Sequence, residues 1–202
     1  MKIAVLGFGN VGKKFAALFS KAGYDVVVGV RSTRIDSVPY ACASLKESAR
    51  VADIIALAIP FSACADVLPA IAQESYGKIV IDSTNPINPD WSPKLLGDTN
   101  SAAEEVSRLL PRSQVVKAFN TIFADVMEQP VRDGKRITAF VAGDDDAAKQ
   151  IVVTLATNVG FAPVDAGPLC TARYLESMAH LNIQLAVNQN GGTDAAFIYS
   201  QG

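Results

Sequence analysis

The chain has 202 residues, half of them apolar, and a near-balanced charge of Lys+Arg 18 against Asp+Glu 20. At roughly 150 residues per domain this is one domain with a margin, long enough to bury a sizeable core, with a composition that is neither disordered nor fibrous. A net charge of −2 excludes affinity built on phosphate neutralisation, so nucleic acid is not expected as a partner.

Lys2 to Leu6 is a short apolar run that passes directly into glycines, the pattern of a fully buried parallel strand. A helix follows, with Val11, Phe15, Leu18, Phe19 and Ala22 at helical spacing and Gly23 where a C-cap glycine belongs. Asp25 to Val30 is a second, β-branched strand, and a polar turn runs from Arg31 to Asp36. Further strands are expected at Ile54–Ile59, Lys78–Asp82, Gln114–Ala118, Ile137–Ala142 and Phe161–Asp165, with helical segments between most of them. This alternation predicts an α/β fold, a Rossmann-type, doubly wound, mainly parallel sheet with helices on both faces. The Asn85–Pro93 stretch carries three prolines and reads as a loop leaving a strand end, where open parallel sheets bind ligands. A long helix is expected from about Thr171 to Asn188, then a Gly191-Gly192 break and a short tail. Residues 1–202 read as a single domain, a core to about 119 and an extension beyond.

The most apolar stretch, Val51 to Ala72, is interrupted by Asp53, Pro60 and Asp66, which argues against a membrane span. Cys42, Cys64 and Cys170 are widely separated, form no C-x-x-C and share the chain with a single His, a pattern suited to a reducing compartment. With no signal-peptide core at the start, the expectation is a cytoplasmic protein.

Gly7-Phe8-Gly9-Asn10-Val11-Gly12 is G-x-G-x-x-G, placed between the first strand and the first helix. In that context Gly7 permits the tight turn, Gly9 lets the backbone approach a pyrophosphate, and Gly12 allows close helix–strand packing. About 20 residues further on, NAD sites usually carry a carboxylate for the ribose hydroxyls. Here the place is Arg31-Ser32-Thr33-Arg34, two guanidiniums and two hydroxyls that can surround a 2′-phosphate. The cofactor expected is NADP(H).

Carbonyl reduction needs a proton donor, and the Tyr-x-x-x-Lys pair of short-chain reductases is missing: Tyr24, Tyr40, Tyr76 and Tyr174 are followed four residues on by Val28, Ser44, Val80 and Met178. His180 falls on a narrow polar stripe between Glu176 and Gln184 and reads as a solvated imidazole paired with Glu176. Asn182 lies within the apolar arc, where a buried amide must find partners. Asp144-Asp145-Asp146 open an amphipathic segment and read as helix-capping acids rather than metal ligands. No catalytic acid or base and no metal site is assigned. A dinucleotide site without either suits hydride exchange with a second redox cofactor.

Several of these stretches together resemble the NADPH-dependent reductases of the deazaflavin coenzyme F-420, whose fold also occurs in the cytosolic domain of the STEAP metalloreductases. The shared pieces are Gly7 to Lys13, Val27-Val28-Gly29 with Arg31, Ile59-Pro60 before an aromatic, Val115-Val116 with Ala118, Gly143 to Asp146, Asp165 to Leu169, and Leu181-Asn182-Ile183. The resemblance implies that Phe8, Gly9, Asn10 and Val11 hold the pyrophosphate and that Arg31 and Ser32, with Arg34, hold the 2′-phosphate. It further implies that Ile59, Pro60 and Phe61 line the nicotinamide side, with Asn85, Pro86, Ala118 and Asn120 nearby. Archaeal members carry Trp-Glu-His after the Ile-Pro and a His where this chain has Asn120; here Phe61-Ser62-Ala63 follows. Those differences touch the acceptor pocket rather than the NADP pocket. The function expected is hydride transfer between NADP(H) and a deazaflavin (F-420) or flavin. The alternatives are reduction of a small carbonyl or imine, a metal-reductase-like protein, and a non-catalytic NADP(H)-sensing module. The wide apolar face of the final helix predicts a homodimer.

Overall fold

The computed structural model describes residues 1–31 and 38–201. Ser32, Thr33 and Arg34 lie outside the described residues. The opening follows the sequence pattern: β1 (Lys2–Leu6), α1 (Asn10–Lys21) and β2 (Asp25–Val30), with Gly23 at φ +85° ending the helix turn. Then come β3 (Ala41–Ser44), α2 (Leu45–Val51), β4 (Ile54–Leu57), α3 (Cys64–Ile71), β5 (Ile79–Asp82), α4 (Ala102–Leu109) and β6 (Gln114–Ala118). A two-stranded hairpin of β7 (Val131–Arg132) and β8 (Lys135–Arg136) leads to β9 (Thr138–Gly143), α5 (Asp146–Asn158), β10 (Ala162–Gly167) and α6 (Ala172–Asn188).

The main sheet has eight strands in the order β10-β9-β6-β5-β4-β1-β2-β3. β1 lies centrally, parallel to β2 and β4, with Val5 opposite both Val28 and Ala56. One reversal breaks the parallel pattern: β9 runs antiparallel to β6, and β10 is parallel to β9. The end of β9 and the end of β10 therefore sit at the sheet edge opposite the ends of β1, β4, β5 and β6. α6 starts from that far edge and climbs back, so its second half reaches the edge where β1 delivers the glycine turn.

Helices cover both faces. One core packs Phe15 and Phe19 of α1 and Val152 and Leu155 of α5 around Val5, Val116 and Phe161. The other packs Val67 and Leu68 of α3 and Val106 of α4 on Leu6, Ile55 and Val80. β4 stops at Leu57 rather than Ile59, because Ala58 to Pro60 leave the sheet at the edge where β1 delivers the glycine turn. β3 is absent from the sequence expectation: it is a half-exposed edge strand of four residues with no apolar run. No helix among the described residues is long and apolar enough to cross a membrane.

Candidate functional site

The turn after β1 is as tight as its glycines require. Gly7 sits at φ +103°, and a Cβ on it would lie 2.4 Å from the Ala58 carbonyl oxygen. A Cβ on Gly12 would lie 2.1 Å from the Gly7 carbonyl oxygen, whereas one on Gly9 would meet nothing within 4 Å. Two glycines thus seat the start of α1 against the sheet, and the third leaves open space in front of it. α1 has no side-chain cap at its start and no acid in its first turn, so its free N–H groups and positive dipole end remain available to an anion. Arg31 is exposed directly after β2. Phe8 turns aside, edge-on to Tyr40 at 6.4 Å between ring centroids.

A cavity of about 510 Å³ runs along the ends of β1, β4, β5 and β6 and is closed on the far side by α6. The expected residues Gly9, Asn10 and Val11, Ile59, Pro60 and Phe61, and Asn85 and Asn120 all line it. Pro86 and Ala118 do not: both are buried beside it, Ala118 completely, one residue short of Phe119, which does line the wall. Gly7, Phe8, Gly12 and Arg31 lie outside the lining. Trp91, Phe123, Asn182, Ile183 and Val187 also line the cavity. The sequence flagged Asn182 as misplaced among apolar neighbours but carried no comparable signal for the others. The one ionisable side chain in the described lining is Asp125, whose carboxylate accepts the Thr193 hydroxyl.

The floor of the cavity is fixed by amides and buried charge. Asn85 Nδ2 donates to the Asn120 carbonyl at 2.8 Å, and Asn120 Nδ2 donates to Asn85 Oδ1 at 2.9 Å and to the Leu175 carbonyl at 3.0 Å. Beneath them Lys117, fully buried, contacts Asp82 at 2.9 Å, Glu176 at 2.8 Å and the Thr84 carbonyl at 2.5 Å. Burial alone would pull the Lys117 pKa down, but the two carboxylates hold it above the ordinary lysine value. Glu176 also accepts the N–H groups of Ala102 and Ala103 at the start of α4. Burial and the nearby Asp82 push the Cys64 thiol up to about 12, so it stays protonated beside this cluster.

Two sequence readings are corrected here. Glu176 is buried and bound to Lys117, not solvated beside His180. His180 is half-buried, and its Nε2 lies 2.9 Å from the Pro86 carbonyl; since a carbonyl only accepts, that nitrogen carries the proton. Asp145 caps α5 by accepting the Ala148 N–H, as the capping reading expected, whereas Asp144 departs from it and accepts the N–H of Leu169, 25 residues away.

Pro86 is also the root of the loop that carries Trp91. Its carbonyl accepts the Lys94 N–H at 2.9 Å, and Ile87 pairs with Pro93 across the loop. Inside it Asn88 bonds Ser92 through backbone and side chain, and Asp90 accepts both the Ser92 N–H and its hydroxyl. The Ser92 hydroxyl, then its N–H, hold the Asp90 carboxyl below the usual range. Trp91 stands at the tip at φ +67°, a left-handed backbone that costs a non-glycine residue about 1–3 kcal/mol, with 55% of its surface exposed.

Comparison with known proteins gives a consistent answer. The family model described as NADP oxidoreductase, coenzyme F420-dependent, matches residues 2–86. A solved structure from Arthrobacter sp. FB24, a candidate F420-dependent NADP-reductase, superposes over the whole of both chains with a TM-score of 0.90 and 30% identity. The F420-dependent NADP reductase of Methanothermobacter thermautotrophicus is 28% identical over 93% of this chain and 90% of its own length. The rat metalloreductase STEAP3 is 31% identical over 88% of this chain but only 36% of its own length. The chain therefore spans about a third of the metalloreductases it matches.

Proposed function

Since the chain belongs to the coenzyme F420-dependent NADP oxidoreductases, we propose that it passes hydride between NADP(H) and a second redox cofactor, a deazaflavin or a flavin. The observation that carries this reading is the cavity: an anion-ready glycine turn at one end and a mainly apolar chamber at the other, with Asp125 its one ionisable lining group among the described residues. The residues fit the nucleotide, because the open space before Gly9 and the uncapped start of α1 would take the pyrophosphate. Arg31, exposed after β2, with Ser32, Thr33 and Arg34, would hold the 2′-phosphate. Ile59, Pro60 and Phe61 would support the ring, and the Asn85–Asn120 pair would keep the strand ends fixed under it. When bound, the nicotinamide supplies the hydride chemistry. The protein's part is to hold two rings in contact and exclude water.

Reduction of a carbonyl or imine has less support, since the His180 proton on Nε2 is directed at Pro86 and the residue lies outside the cavity lining. The reading includes a homodimer. Tyr174, Leu181 and Leu185 are 72%, 56% and 49% exposed along one stripe of α6, an unusual run of large apolar side chains in water. Stopped-flow oxidation of NADPH with a flavin, a deazaflavin and a panel of carbonyls tests the proposal. Turnover with either tricyclic ring and not with carbonyls is expected. Turnover confined to carbonyls, or tight NADPH binding with no acceptor active, overturns it.

A further inference from the structure

We propose that Trp91 is the platform on which the second redox ring stacks, an inference that rests on the two-ring reading above. Trp91 is the sole tryptophan of the chain. It is more than half exposed yet walls the cavity together with Ile87, Ile183 and Val187. A large apolar side chain that is more than half exposed in a left-handed backbone gains little for the fold from that placement, and the loop around it is braced to keep it there. The Ile87–Pro93 bridge, the Asn88–Ser92 bonds and the Asp90 cap tie the loop to itself, and His180 ties its root to α6. A rigid aromatic face held at the mouth of an apolar chamber recognises a flat conjugated ring with little ordering cost.

The geometry also separates the two rings. The glycine turn leaves β1, and Ile59 to Phe61 leave the adjacent strand β4, so a nicotinamide tethered to a pyrophosphate at that turn would be held on that side. Trp91 hangs from the loop after β5, a strand two spacings or about 10 Å from β1, and shares the cavity wall with Ile183 and Val187 in the second half of α6. That is the half of the chamber which a nucleotide held in this way would leave open. The ring it receives is planar, conjugated and electron-poor, as flavins and deazaflavins are, and the indole is a donor surface for it.

Because the protein has one tryptophan, its emission lifetime reports on Trp91 alone. The lifetime is measured with 2′-phospho-ADP-ribose, with NADP⁺, and with riboflavin or 5-deazariboflavin added to the NADP⁺-saturated protein. Trp91→Ala, Trp91→Phe and Trp91→Gly are assayed beside the unmutated protein. The lifetime should stay constant with the first two ligands and shorten with the third. Trp91→Ala should raise the acceptor KM about tenfold with the KM for NADPH unchanged, and Trp91→Phe should restore most of the loss. Trp91→Gly, which relieves the backbone, should weaken the acceptor equally without lowering Tm. A lifetime that shortens fully with NADP⁺ alone, or an acceptor KM unmoved in Trp91→Ala, overturns the proposal while leaving the two-ring reading intact. Failure of the unmutated protein to bind NADPH overturns both.

Discussion

Removing the Lys117 ammonium leaves Asp82 and Glu176 buried with no counter-charge. Lys117→Met should therefore lower stability by about 3–5 kcal/mol, read as a shift of the urea midpoint at neutral pH. Its raised pKa means that the stability the ion triad contributes is present below the ordinary lysine pKa and is lost as pH rises through the folded value, so the effect belongs to the alkaline limb. Arg31 makes a different prediction. Arg31→Ala should weaken NADPH far more than NADH in fluorescence titrations, because only the former has a 2′-phosphate; equal losses would remove the basis for NADP(H). The glycine turn was legible at this scale because Gly7 and Gly12 each answer a steric demand that the motif itself encodes. Lys117 was not, although a lysine within the apolar run Gln114 to Ala118 is a signal that can be read. Its partners come from β5 and α6, 35 and 59 positions away, and no local pattern pairs them. His180 was misread for the same reason: the wheel showed Glu176 one turn away, but Glu176 was already committed to Lys117.

Elements meet at two joints that can be tested separately. Where α1 meets β1, Gly12→Ala would drive a methyl group to 2.1 Å from the Gly7 carbonyl oxygen, so the start of α1 must move off the turn. Nucleotide affinity should fall together with Tm, measured by titration and by thermal melting of the same variant. Where α4 meets α6, Arg173 donates from Nε and Nη2 to the two oxygens of Glu104 at 2.9 and 2.5 Å, and that pairing lowers the Glu104 pKa. A lowered folded value contributes stability above the ordinary carboxylate pKa, and that contribution is lost as pH falls through the folded one. Arg173→Ala should thus make the acid limb of the stability curve shallower than that of the unmutated protein. Most elements were legible from period and turn residues, since β1, β2 and β6 are buried apolar runs bounded by polar or glycine residues. The direction of β9 was not. A strand buried on both faces reads as the same apolar run whether it lies parallel or antiparallel to its neighbour, and only the register Ala118↔Val141 reveals it.

The whole molecule combines a cavity at one sheet edge with an exposed apolar stripe on α6. Leu181→Glu, at the centre of the Tyr174–Leu185 stripe, should give a monomer by light scattering at micromolar concentration if that stripe is the contact between two copies. A monomeric unmutated protein would reject the dimer outright. The reversal of β9 has one more effect, on what can be attached to the protein. It brings the start of β9 to the cavity edge, where Thr138 N–H donates to the Phe197 carbonyl and the Thr138 hydroxyl accepts the Tyr199 N–H, at 2.9 and 2.8 Å. Lys2, opening β1, stands at the opposite edge. A reporter domain fused ahead of Met1 would hang clear of the cavity entrance, whereas the same domain fused behind Tyr199 would crowd it.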